Sequence, residues 1–192
     1  MSRDIFALAA FTATAYAYGM KRQRHSRQTW IEAGLKSLIT KGPSALAAEP
    51  LARELGTTKG SFYWHFKDVP EFQTAVVKHW QSHAFASVLQ ALEENGTAEQ
   101  RLRRFGKEIL ASQQDPAMRA WASADISVAK AVGQVDAERL KYVTALLSNI
   151  GVTNDDFARG CLAALIGLPA VAKKTSAITA FDTLIDLVLA LK

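Results

Sequence analysis

Residues 46–68 read LAAEPLARELGTTKGSFYWHFKD. Glu49 to Leu55 has the spacing of a short helix, with Pro50 in the first turn, where a missing N–H costs nothing. Leu51, Ala52 and Leu55 share its inner face. Gly56 follows, where a helix ends in a left-handed or tight turn. Thr58 stands where its hydroxyl can accept a free N–H from the first turn of a second helix, Lys59 to His65. Phe62 and Phe66 point inward, toward Leu38, Leu51 and Leu55. Ala47 precedes the first of the two helices, where a Ser or Thr cap would add about 1 kcal/mol.

Two short helices joined by a glycine turn form a helix-turn-helix, whose second helix enters the major groove of DNA. The start of such a helix is positive and suits base edges and phosphates. Thr58, Lys59, Gly60, Ser61, Tyr63, Trp64, His65 and Lys67 are therefore the candidate DNA-contacting residues. Gly60 and Ser61 are small enough to let the backbone approach the groove. Tyr63, His65 and Lys67 form a polar, cationic ladder suited to the phosphate backbone. An amphipathic core edge is the alternative role for Tyr63, Trp64 and His65, and a solvated lysine the alternative for Lys59.

Charge has the same address. The 192-residue chain carries a net charge of +5. From Met20 to Lys67 there are nine Lys/Arg against three Asp/Glu, whereas from Asp68 to Lys192 there are thirteen against fourteen. A basic module joined to a near-neutral body fits a polyanion-binding head, and a solvated basic face is the other reading. About half the residues are apolar (49%), enough for a real core.

Outward from the motif, helical spacing dominates. Arg27 to Lys41 is a helix with Trp30, Ile31, Gly34, Leu35 and Leu38 on one face, stopped by Gly42-Pro43. Asp68 caps a long helix from Pro70 to about Leu92, broken by Asn95-Gly96-Thr97. Further helices are expected over Glu99 to Ser112, Ala117 to Ala122, Ser127 to Val132, Asp136 to Ile150, Asp155 to Leu168 and Thr179 to Leu191. No strand pattern or repeat is present, so the expected fold class is all-α: an N-terminal three-helix DNA-binding domain and a larger helical domain.

The segment from about Arg24 to Trp80 resembles the DNA-binding domain of the tetracycline-repressor (TetR) family of bacterial transcriptional regulators. The resemblance rests on Leu51-Ala52-x-x-Leu55-Gly56 and on Lys59 through Lys67, KGSFYWHFK. Three positions depart from the family's habit: Ala47 replaces the usual cap, Thr57 the usual aliphatic residue, and Gly34 the usual alanine. None removes a DNA-facing group; Gly34 is expected to loosen its helix slightly. The implied organisation is a 1–19 extension, a 20–68 helix-turn-helix domain with its motif at 47–66, and a 69–192 effector-binding and dimerisation domain.

By the same resemblance the protein is a homodimer whose two recognition helices read a palindromic double-stranded DNA operator. The last two helices would form the dimer interface through Ala158, Gly160, Ala163, Ala164 and Gly167 and the stripe from Phe181 to Val188, with an intramolecular core as the alternative. The middle helices would enclose a pocket for an unknown small-molecule effector, with Trp80, Phe85, Phe105, Trp121 and Tyr142 as candidate lining residues or, alternatively, plain core. The implied function is ligand-responsive transcriptional regulation, by repression. A DNA-binding protein controlled by a protein partner, without an effector, is the runner-up.

The remaining features are bland. No nucleophile motif, phosphate-binding loop or zinc-spaced Cys/His set occurs, so no catalytic residue, cofactor or enzyme activity is expected. His79 and His83 share a helical face at metal-ligand spacing, but no third ligand is evident and no metal site is assigned. The single cysteine, Cys161, excludes an intrachain disulfide and is compatible with the expected cytoplasmic location. Residues 5–18 are apolar but short for a membrane span, and basic residues follow rather than precede them, unlike a signal peptide. Translation from Met20, or a poorly ordered extension, is the expected account of them, with an extra helix packed on the body as the alternative, and no membrane partner is expected.

Overall fold

A computed structural model describes residues 25–190. Among these, nine α-helices and one 3₁₀ turn make up the regular structure, and there is no strand. The fold is all-α, as expected.

Helix α1 spans Arg27–Lys41 and is capped by Ser26, whose hydroxyl accepts from the Thr29 N–H. It ends at Gly42, with φ at 80°, a left-handed value that glycine adopts without a Cβ penalty. A 3₁₀ turn over Pro43–Ala45 leads to α2, Ala48–Glu54. Ala47 supplies no side-chain cap to α2, as its chemistry dictates. Gly56, with φ at 62°, turns the chain into α3, Lys59–Tyr63. Helix α4 then runs over Val69–Glu93, with the Asp68 carboxylate accepting from the Glu71 N–H at 2.8 Å.

The body continues with α5, Ala98–Ala111, and α6, Gln114–Ala122. Then come α7, Ile126–Asn149, α8, Asp155–Val171, and α9, Lys174–Ala190. Three differences from the expected boundaries have physical causes. Asp115-Pro116 lies in the first turn of α6, where proline is tolerated, and not in a loop. The two helices expected on either side of Gly133 are one, α7, because Val128, Val132, Val135, Arg139, Tyr142 and Leu146 form an unbroken buried stripe. Their burial outweighs the roughly 1 kcal/mol that a mid-helix glycine costs. Helix α9 starts five residues before Thr179 because Ala177 is already buried in its first turn.

Two buried clusters hold the fold. The first joins Trp30, Leu38, Leu51, Phe62, Phe66 and Phe72 of the N-terminal helices to Val76, Trp80 and Ala84 of α4, Met118 and Trp121 of α6, and Val128 to Val135 of α7. The second joins Val88 and Ala91 at the far end of α4 to Leu102 and Phe105 of α5, Tyr142 to Leu147 of α7, Leu165 of α8 and Phe181 of α9. Helices α4 and α7 therefore serve both clusters, one half each. Arg139 lies at the changeover on α7, between Val135 of the first cluster and Tyr142 of the second.

Candidate nucleic-acid interface

Helix α3 is short, ending at Tyr63 two residues before the expected His65, and the segment from it to Lys67 is two-faced. Phe62 and Phe66 are fully buried, and their rings pack edge-on to Phe72 at 5.3 and 4.9 Å between centroids. Trp30 closes the cluster with an edge-to-face contact to Phe62 at 5.4 Å. Gly34 makes room for it: a Cβ there would lie 2.6 Å from Cζ of Phe72. The departure at Gly34 thus admits a large aromatic ring from α4 rather than merely loosening α1.

The opposite face is open. Thr58, Lys59, Gly60, Tyr63, Trp64 and Lys67 are exposed, and Ser61 and His65 are half-buried. Trp64 is 88% exposed, so it is no core residue of this chain. Tyr63 is also largely exposed and touches the core only through an edge-on contact with Phe62. Among the described residues, Lys41 and Arg53 are ion-paired with Glu54 and Glu49, while Lys59 and Lys67 have no carboxylate within 4.0 Å. One expectation fails: Thr58 occupies the cap position of α3 in extended conformation, but its hydroxyl accepts no backbone N–H. The Ser61 N–H is taken by the Thr58 carbonyl at 2.9 Å, which leaves the Thr58 hydroxyl and the first two N–H groups of α3 for an outside acceptor.

Several contacts that hold α3 in place had no sequence signature. Lys41 donates to Glu54 at 2.9 Å and the buried Ser37 hydroxyl donates to the same carboxylate at 2.7 Å, tying α1 to α2. These hydrogen bonds hold the Glu54 carboxyl below its usual range, Ser37 contributing most and Lys41 next. The His25 ring meets the Leu55 carbonyl at 2.8 Å and fastens the start of the domain to the turn. Glu71 accepts the Lys67 N–H at 2.8 Å and pairs with Arg27 at 3.3 Å, and the Arg27 guanidinium lies 4.7 Å over the Phe66 ring.

Residues 31–68 match the family model for bacterial regulatory proteins of the tetR family. That segment, which spans α2, α3 and the turn to α4, is thus similar to the DNA-binding part of tetR-family regulators. The structure of a TetR-family transcriptional regulator from Streptomyces coelicolor is similar, with 18% identity, TM-score 0.70, and coverage of 93% of this chain and 94% of that one. A transcriptional regulator from Rhodococcus sp. Rha1 shows 19% identity and TM-score 0.71, over 86% of this chain and 97% of that one. A Saccharomonospora viridis transcriptional regulator solved in complex with choline shows 14% identity and TM-score 0.69, over 83% and 95%. At these identities the likeness is one of fold. No curated protein matches the chain.

The body of the chain does not gather the five aromatic residues expected to line one pocket. Phe105 and Tyr142 pack edge-to-face at 4.9 Å inside the second cluster, and the Tyr142 hydroxyl donates to the Ala91 carbonyl. Trp121 is buried in the first cluster and edges a separate groove of about 370 Å³ between α4 and α7; Phe85 packs against that cluster from outside. Only Trp80 reaches a cavity at the seam between the clusters. This cavity, of about 310 Å³, is also lined by His83, Ser87, Glu108, Asp115 and Arg139. Asp115 and Arg139 form a buried ion pair, backed by Arg119, whose two nitrogens meet Asp136 at 2.8 and 2.6 Å. The spacings Asp115-x3-Arg119 and Asp136-x2-Arg139 were the available sequence signal for this network.

The expected dimer residues divide as well. Ala158, Phe181 and Ile185 are buried within the chain, as the intramolecular alternative held, whereas Gly160, Ala163, Gly167 and Leu187 are exposed. A Cβ at Gly160 or Gly167 would meet no atom within 4 Å. Cys161 is buried in the second cluster, and that burial pushes its thiol up to about 11, which leaves it an inert apolar side chain. No described helix is long and apolar enough to cross a membrane. The apolar run at residues 5–18 lies outside the described residues.

Proposed function

We propose that this chain is a homodimeric, effector-responsive repressor that reads a palindromic operator, with a DNA-binding head at 20–68 and an effector and dimerisation body at 69–192. The observation that carries the reading is the asymmetry of α3. Phe62 within it and Phe66 just after it are fully buried, while Lys59, Tyr63, Trp64 and Lys67 are exposed. The first N–H groups of α3 and the small residues Gly60 and Ser61 lie at the end that approaches base edges.

A dimer places two such helices in successive major grooves. The open stripe of Gly160, Ala163 and Gly167 on α8 lies on one helical face, where a second copy's helix can approach closely. The seam cavity is the effector site. It sits where the head-bearing cluster meets the dimer-bearing one, so a ligand there bears on the angle between them. The choline held by the Saccharomonospora viridis regulator supports a body of this fold as a small-molecule binder.

The test is selection of bound sequences from a random duplex pool by the purified protein at about 150 mM salt, where purely electrostatic binding is suppressed. Enrichment of one palindrome supports a dimeric sequence reader. Binding only at low salt, with no enriched sequence, reduces the head to a generic polyanion patch.

A further inference from the structure

Two of the chain's four histidines, His79 and His83, have no place in the interface described above. They lie four residues apart on α4, and their ring centroids are 4.5 Å apart. His79 is half-buried and His83 is exposed. Both open onto a crevice of about 530 Å³ between α1 of the head and α4, closed at one end by Gln113 and Gln114. The opposite wall is α1, which contributes Gln28, Glu32 and Lys36. Glu32 is the one carboxylate lining this crevice, and its side chain accepts from the Gln28 amide at 2.9 Å.

Two imidazoles four residues apart share one helical face, the spacing at which histidine pairs on a helix ligate transition metals. The ligand form is the neutral ring. Burial first, and His83 second, hold the His79 ring below the ordinary histidine value, with Glu32 pulling the other way.

We propose that His79 and His83 form a two-imidazole chelate for a divalent transition-metal ion, with Glu32 of α1 as the facing carboxylate. Among the described residues no ready-made group of three ligating side chains exists, so the ion keeps water on its remaining positions and Glu32 reaches it only by leaving Gln28. A site of two nitrogens plus water follows the ordinary order of affinities, with Cu²⁺ bound most tightly and Ni²⁺ and Zn²⁺ more weakly. The neutral Gln28, Gln113 and Gln114 leave Glu32 and Lys36 as the charges across the crevice from the pair.

The experiment is calorimetric titration of the untagged full chain with Cu²⁺ and Ni²⁺ at pH 7.5. One ion per chain is expected, with Cu²⁺ tighter than Ni²⁺. His79→Gln and His83→Gln should each weaken binding at least tenfold, Glu32→Gln severalfold, and His65→Gln not at all. Wild type that takes up neither ion at millimolar concentration overturns the proposal, as does uptake that survives in the His79→Gln/His83→Gln double variant. Paramagnetic resonance of the Cu²⁺-loaded wild type makes the outcome independent of variant folding. A spectrum of two equivalent imidazole nitrogens supports the chelate, and one of backbone amides or a single imidazole sinks it.

Discussion

The two buried clusters differ in chemistry and in reach. The first is built around interlocking rings, Trp30, Phe62, Phe66 and Phe72, and runs from the recognition helix through α4 into α6 and α7. The second is mainly aliphatic and confined to α4's far end, α5, α7, α8 and α9. The head therefore has no closed core of its own; its hydrophobic interior continues past Asp68 into the body. Helices α4 and α6 pack in the same cluster as Phe62 and Phe66, so the packing beneath α3 is continuous with the body, whereas the second cluster contains no residue of the head. Between them lies a polar seam of paired charges, where Asp115 and Arg139 are buried together.

The sharpest way to break this contrast is at its aromatic centre. Phe62→Ala should cost about 3–5 kcal/mol, since the ring is fully buried and its neighbours can collapse only partly. Thermal unfolding would show it, and DNA affinity should fall with it. If stability drops but the residual folded protein binds DNA normally, the cluster does not position α3.

At the seam, Asp115→Ala should cost about 3–5 kcal/mol by removing the close partner of the buried Arg139 and leaving it only Asp136 at 3.9 Å. Denaturant unfolding measures this. The Asp115→Asn/Arg139→Gln pair should recover much of the loss, which separates an uncompensated charge from lost packing.

The two tight glycines test the clusters separately. Gly34→Ala drives a Cβ into the Phe72 ring and Gly106→Ala drives one into the Phe181 ring. Each should destabilise by about 1–3 kcal/mol from overpacking, less up to about 1 kcal/mol of gained helix propensity. Gly34→Ala should also weaken DNA binding, and Gly106→Ala should leave it unchanged in the folded fraction. Equal effects on DNA would erase the distinction between the clusters.

On the open face of the head the effects are smaller and fall on binding. Lys67→Ala should weaken all sequences alike and lower the salt-dependence slope by about 1, as loss of one phosphate contact does. Lys59→Ala and Ser61→Ala should instead relax specificity. Equal losses on specific and random duplexes for all three would contradict this division.

The smallest expected effect is that of pH. The His79 ring has a lowered proton affinity in the fold, so the unfolded chain binds the extra proton first. Stability should be at its full value above the ordinary histidine range and decline as pH falls through about 6.5 and below. The decline should shrink in His79→Gln. Glu54 adds a loss at still lower pH, since its carboxyl is held down in the fold and that stabilisation disappears on protonation.

Local patterns carried the head. The glycine at 56, the ring spacing at Phe62 and Phe66, and the Asp68 cap were legible because each acts within a few residues of itself, and α1 has the bounds its periodicity predicts. Where a long-range contact decided, local reading failed. Gly133 looked like a break, yet buried neighbours on α7 carry the helix through it. Thr58 had the right residue type for a cap, yet its hydroxyl makes none. The five body aromatics are alike in sequence, and only packing sent Trp80 to the seam and Phe105 and Tyr142 to the second core.

The sequence by itself determined an all-helical chain with a basic, glycine-hinged two-helix motif, because helix periodicity, turn chemistry and charge are written in neighbouring residues. Tertiary structure alone decided that Gly34 shelters Phe72, that Arg139 answers Asp115 across two helices, and that His79 and His83 face α1. Those outcomes depend on which helix faces meet, and that is set by the burial of the whole apolar surface at once rather than by any local signal.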